Sequence, residues 1–218
     1  FEISMSPFYL GATGKVWLEK GGVYVVANIR GGGEFGPKWH KAALKENRMR
    51  AFEDFIAVSE DLISRKFTSP RHLAIQGGSN GGLLVGSVFV LRPDLYQGVI
   101  CQVPLLDMYR YHKLLAGASW TGEYGNPDDP KDAAAFAVIQ RYSPYQNVRA
   151  GVRYPQVLFM TSTADDRVHP GHARKMAARM IEQGHPIWYY ENIEGGHGGA
   201  ADLEQHIKMS TIEFEYLY

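Results

Sequence analysis

The chain has little cysteine, no charge excess and no long apolar run, and each shortage removes a class of protein. Cys101 is the single cysteine among 218 residues, so an internal disulfide framework is excluded. One thiol fits a reducing compartment without fixing it, and localisation stays open between cytoplasm and periplasm. Lys+Arg and Asp+Glu balance at 23 each, and no basic block is longer than Arg48-Met49-Arg50. Such a surface offers no general attraction for nucleic acid or an anionic membrane. The runs Val23–Ile29 and Leu83–Leu91 fall well short of the roughly 20 residues that a membrane span requires. Metal chemistry is also poorly supplied. The eight histidines are scattered, and His169 and His172, three apart at a helix start, read as a capping or surface pair rather than a zinc site. No cofactor is expected. The chain opens on Phe1 with no signal-peptide pattern, which reads as a fragment or a processed product.

What is present is enough to bury a core. Hydrophobic residues make up 45% of the chain and aromatics 12%, a composition of one soluble globular domain able to hold a rigid site. Val23–Ile29, β-branched and stopped by Gly31-Gly32-Gly33, reads as a buried parallel strand. From Ala51 to Lys66 the positions Phe52, Phe55, Ile56, Leu62 and Ile63 recur at helical spacing. The alternation then repeats: strand His72–Gln76, helix Asn80–Leu91, strand Gly98–Val103, strand Gln156–Thr161, helix Pro170–Gln183, strand Pro186–Glu191, helix Asp202–Tyr216. Alternating strands and helices imply an α/β fold, a mostly parallel sheet with helices on both faces. Between Pro104 and Pro155 the pattern weakens, with one helix near Pro130–Arg141; this segment reads as an insertion that walls a pocket at the carboxyl ends of the strands.

Gly77-Gly78-Ser79-Asn80-Gly81-Gly82 joins an apolar strand to an apolar helix and contains G-x-S-x-G. Small residues are needed there because the turn holds the serine in a strained conformation with neighbouring backbone close by. The serine Oγ is then exposed at a helix start, where the Asn80 N–H can meet a developing oxyanion. No lysine follows, as a phosphate loop would require. A serine hydroxyl needs a base, and the base needs a carboxylate to fix its tautomer. In α/β-hydrolases the order along the chain is Ser, acid, His. His197, flanked by glycines after the last strand, fits the base; His40, His72, His112, His169, His172, His185 and His206 fit surfaces, caps or core contacts. Asp165 and Asp166 both fit the acid by spacing, one of them catalytic and the other a helix cap.

With Ser79, Asp165-Asp166-Arg167-Val168 and His197 in place, the chain resembles the catalytic domain of the prolyl oligopeptidase family. The likeness also covers Ala27 to Gly36, Trp39-His40-Lys41, Thr68-Ser69-Pro70, Gly77 to Leu84, Arg92 to Leu95, Tyr142-Ser143-Pro144 and Gly196-His197-Gly198, nearly the whole chain. The resemblance implies an α/β-hydrolase fold over residues 1–218 and a serine endopeptidase acting on short peptides, preferentially after proline. It also implies an amino-terminal β-propeller that excludes folded substrates. By position it implies Asp165 as the acid, Arg167 as the holder of a substrate carbonyl upstream of the scissile bond, and Trp120 as the indole that stacks on the proline ring. Phe1, Tyr124, Val168 and Leu105 are implied as further pocket walls. An apolar slot with an aromatic face suits a ring that lacks a donor. The oligopeptidase B group, which cleaves after Lys or Arg, is similar around Gly125-Asn126-Pro127 and Ser143-Pro144-Tyr145. It usually carries alanine where Asn80 stands and lacks the Asp-Asp-Arg-Val arrangement.

Two parts of the family pattern lie outside these residues: the propeller, and a Tyr-Gly-Gly before Phe1 whose tyrosine would supply a second oxyanion donor. Loss of one such donor typically lowers rate on the order of a hundred- to a thousandfold. The expectation for these residues alone is therefore a folded but impaired peptidase, with self-association through an exposed sheet edge. The alternatives are an esterase or acyl-aminoacyl hydrolase on the same three residues, and an inactive fragment that only binds peptide.

Overall fold

Alternation along four short strands decides which helices cover which face of the sheet. The computed structural model describes residues 1–6 and 11–218. Strands β1 (Ala74–Gly78), β2 (Gly98–Gln102), β3 (Gln156–Ser162) and β4 (Ile187–Asn192) pair in sequence order, all parallel. Val99 stands opposite Ile75 and Val157, and Ile100 opposite Gln76 and Leu158. Because successive side chains point to opposite faces, Ile75, Val99, Cys101, Val157 and Phe159 join the larger core. That core includes Leu83, Val88 and Phe89 of the helix Asn80–Leu91 and Met176 and Met180 of the helix Gly171–Glu182. Ile100, Leu158 and Met160 face the other way and meet Met209, Ile212 and Tyr216 of the helix Leu203–Leu217. Helices thus cover both faces, as the α/β pattern requires.

The helix Met49–Ser64 packs outside Asn80–Leu91, burying Phe52 completely. Tyr216 locks the far helix to the sheet: its hydroxyl accepts from Val99 N at 2.8 Å and donates to Gln156 O at 2.5 Å. The expected elements from Met49 onward form with ends shifted by a residue or two. The segment between β2 and β3 contains the helices Thr121–Tyr124, Ala133–Tyr142 and Pro144–Asn147. Tyr111, Tyr124 and Tyr142 are fully buried there and join the larger core, so this insertion is packed onto the sheet's main layer. Among the described residues no helix is long and apolar enough to cross a membrane.

Val23–Ile29 departs from expectation. It is irregular rather than a strand, and Val23, Tyr24, Val25 and Val26 are exposed by 68, 44, 47 and 40%. A strand exists only through a ladder partner, and the described sheet begins at β1 with no neighbour on its outer side. The run is tethered at its two ends: Trp17 Nε1 donates to Val23 O at 3.0 Å. Arg30 clasps Asp54 through its backbone N and Nε, at 2.9 and 2.7 Å, and its Nη2, at 2.5 Å.

Candidate active site

Ser79 sits between β1 and its following helix with φ 58° and ψ −116°, a region that costs a non-glycine residue roughly 1–3 kcal/mol. Its neighbours explain why the turn is tolerated. A Cβ on Gly77 would lie 2.3 Å from the Gly81 carbonyl oxygen, and one on Gly82 would lie 2.7 Å from the Gln102 oxygen. Only glycine fits either place. Ser79 N donates to Gln102 O at 2.9 Å, tying the turn to β2. Asn80 is the first residue of the helix, so its N–H has no acceptor within the helix and is free for an anion.

The loop after β4 carries His197. A Cβ on Gly195 would lie 2.0 Å from the Gly199 carbonyl oxygen, and Gly199 has φ +87°. The glycines let this loop fold back on itself, and Ser162 Oγ and Asn192 Nδ2 clamp it by donating to Gly199 O at 3.0 and 2.8 Å. His197 Nε2 lies 3.0 Å from Ser79 Oγ. On the other side of the ring, Nδ1 lies 3.0 and 2.9 Å from the two carboxylate oxygens of Asp165.

Asp165 is the inward member of the acidic pair; its side chain has no exposed surface. Burial alone would raise its pKa. The hydrogen bond from His197 and two backbone donors, Arg167 N and Val168 N at 2.9 Å each, outweigh burial and hold the carboxyl below the usual carboxylate range. Asp166 is exposed and does not cap the following helix, whose N-cap is Pro170 without a side-chain bond.

The expected pocket residues divide by exposure. Phe1 and Trp120 are half-buried and pack against the main core. Tyr124, Leu105 and Val168 are buried. Tyr124 meets Phe1 edge-on at 5.3 Å between centroids, and its hydroxyl donates to Asn80 Oδ1 at 2.7 Å. Arg167 has an exposed side chain. Its carbonyl accepts from Ala116 N at 3.3 Å, joining the acid loop to the turn that carries Trp120.

Two buried basic residues were not legible as such. His172, for which the sequence leaves a cap, a surface place and a core contact all open, is 2% exposed, and its Nδ1 accepts from Leu106 N and Asp107 N at 3.2 and 3.0 Å. That fixes the neutral tautomer with the proton on Nε2, and burial pushes its pKa down to about 4. It ties the helix after the acid loop to the loop after β2. Arg48, seen in the sequence only as part of a short basic triplet, is 5% exposed. Its Nη2 donates to Asn80 Oδ1 at 2.7 Å. Helical periodicity marks neither, since both owe their burial to distant segments.

The protein-family model for the prolyl oligopeptidase family matches residues 10–217. The chain belongs to the prolyl oligopeptidase family. An uncharacterised peptidase of Sinorhizobium fredii is 57% identical over the whole chain, which covers 30% of that relative. The prolyl endopeptidase of Elizabethkingia miricola is 42% identical over 94% of the chain and 29% of its own length. Among solved structures, a post-proline cleaving enzyme from Rickettsia typhi superposes with a TM-score of 0.91 at 42% identity, over 100% of this chain and 32% of that one. The chain thus spans about a third of the length of the prolyl oligopeptidase relatives it matches. Membership of this family brings the α/β-hydrolase fold.

Proposed function

We propose that the protein is a serine endopeptidase that cleaves short peptides on the carboxyl side of proline, with Ser79 as nucleophile. The observation that supports this best is the unbroken contact from Ser79 Oγ through His197 to the buried Asp165, at 3.0 and 2.9 Å, on a strained turn. In acylation, Ser79 Oγ bonds to the scissile carbonyl carbon while its proton passes to His197 Nε2. The carbonyl oxygen becomes an oxyanion facing the Asn80 N–H. His197 gives the proton to the leaving amine as the C–N bond breaks; water then repeats the sequence on the acyl-enzyme, releasing the acid and restoring Ser79. Asp165 stays ionised, orients the ring and balances the imidazolium.

The half-buried Phe1, met edge-on by the buried Tyr124, and the half-buried Trp120 are proposed as the apolar aromatic face for a proline ring, which has no N–H to satisfy, with Leu105 and Val168 as further walls. Arg167, exposed at the loop bonded to the turn of Trp120, is proposed as the residue that meets a substrate carbonyl. The test is turnover on matched amide substrates carrying Pro, Ala or Lys at the cleaved position, beside a short-acyl ester, with Ser79→Ala as control. Preference for proline by a hundredfold or more is expected. Equal turnover of Ala and Pro overturns the specificity assignment, and faster hydrolysis of the ester alone makes the protein an esterase. The outer edge of β1, unpaired among the described residues, is proposed as a route to self-association; a monomer by light scattering at high concentration refutes it.

A further inference from the structure

Arg48 has no carboxylate partner among the described residues, although it is nearly as buried as the core. Its surroundings are the Tyr124 ring, with the guanidinium carbon 4.9 Å from the centroid, the Phe1 ring at 5.8 Å, and the amide oxygen of Asn80. Its Nε is buried without an acceptor. Taking a charge out of water is expensive unless the site uses it, and two aromatic faces with one amide oxygen compensate only in part. The Asn80 oxygen accepts twice, from Arg48 Nη2 and from the Tyr124 hydroxyl, both at 2.7 Å. Asn80 is thereby pinned through its side chain, while the preceding residue is pinned through Ser79 N on Gln102 O.

We propose that Arg48 is a positioning residue for acyl transfer, acting through the Asn80 side chain to hold the peptide N–H that meets the oxyanion. The same guanidinium lies against Phe1 and Tyr124, so it couples the aromatic wall of the specificity pocket to the oxyanion donor. A proline ring seated on that wall bears on the group that fixes Asn80, which makes pocket occupancy felt in turnover rather than only in binding. This inference rests on the assignment of Ser79 as nucleophile. It concerns a side chain that does not touch the reacting atoms.

The experiment compares Arg48→Gln, Asn80→Ala and the double variant in kcat and KM on a proline amide, and in the rate at which a fluorophosphonate modifies Ser79. In that modification the Oγ–P bond forms, the P–F bond breaks, and His197 takes the serine proton. Asn80→Ala keeps the backbone N–H and deletes only the side chain. Arg48→Gln is expected to lower kcat and the labelling rate ten- to a hundredfold with KM changed less than threefold. Asn80→Ala should reproduce that loss, and Arg48→Gln should add less than threefold in its background. Arg48→Lys should recover part of the rate. If Arg48→Gln fails to fold, Tyr124→Phe removes the other donor to the same oxygen and should lower kcat in the same sense. Additive losses in the double variant, or labelling of Arg48→Gln at the unaltered rate, overturn the inference. Absence of label on the unaltered, folded protein overturns the Ser79 assignment itself, and the inference with it.

Discussion

Asp165→Asn isolates what the buried carboxylate does. Asparagine has nearly the same size, and its carbonyl can go on accepting from Arg167 N and Val168 N, the two backbone donors at 2.9 Å. Oδ1, 3.0 Å from His197 Nδ1, keeps its lone pairs on those two backbone donors, so the change falls on Oδ2, 2.9 Å from Nδ1, which becomes an N–H donor. To accept that bond Nδ1 must give up its proton, so the ring carries it on Nε2, 3.0 Å from Ser79 Oγ. A protonated Nε2 cannot take the serine proton. Such a tautomer reversal lowers kcat by about four orders of magnitude in serine proteases, about 5 kcal/mol of transition-state stabilisation. The fold should barely notice, because the retained hydrogen bonds keep the loop in place. A loss of about 1 kcal/mol in a chain of this size moves the melting midpoint by about 2–4 °C. The assay is kcat on a proline amide beside the rate of fluorophosphonate labelling, with the midpoint measured on the same samples. A folded variant that keeps more than a hundredth of the unaltered kcat would falsify the tautomer argument.

Three further outcomes follow from packing and burial. His172 is neutral in the fold, with its pKa at about 4 against an ordinary value near 6.5. A depressed value means that the unfolded chain binds the extra proton first, so its stabilisation is complete above pH 6.5 and fades as pH falls toward 4. The loss amounts to about 3 kcal/mol, and His172→Asn should flatten that part of the denaturation-midpoint profile; an unchanged slope removes the assignment. Gly77→Ala drives a methyl into the Gly81 carbonyl, whereas Gly81→Ala meets nothing within 4 Å. Urea unfolding should therefore show a loss of at least about 2 kcal/mol for the first and little change for the second. Cys101 is fully buried and burial pushes its thiol pKa up, so thiol reagents should modify the native protein only as fast as it unfolds. Rapid labelling at neutral pH would place Cys101 elsewhere than in β2.

Local physics made much of this protein readable. Gly77 and Gly82 announce a turn that admits no Cβ at either place, and a Gly81 oxygen and a Gln102 oxygen stand where those atoms would go. Short apolar runs and 3.6-residue periodicity likewise mark β1 to β4 and the long helices, since burial on a strand or a helix face selects those residue types. The same reasoning misread Val23–Ile29. Its composition suits a strand, but composition cannot supply a neighbour, and without a ladder the run stays irregular and exposed.

Asp165 and Asp166 mark the boundary between the two kinds of knowledge. Adjacent in sequence and identical in chemistry, they differ because the backbone turns one carboxylate toward His197, 32 residues further along the chain, and the other to solvent. Arg48 and Asn80, also 32 residues apart, meet for the same reason, and His172 is neutral because loops from elsewhere enclose it. The sequence by itself determined the elements, the sharp turn at Ser79 and the glycine-flanked loop of His197, all consequences of sterics within a few residues. Tertiary packing alone decided which charges are buried and what they face, because burial and partnership are set by segments distant along the chain.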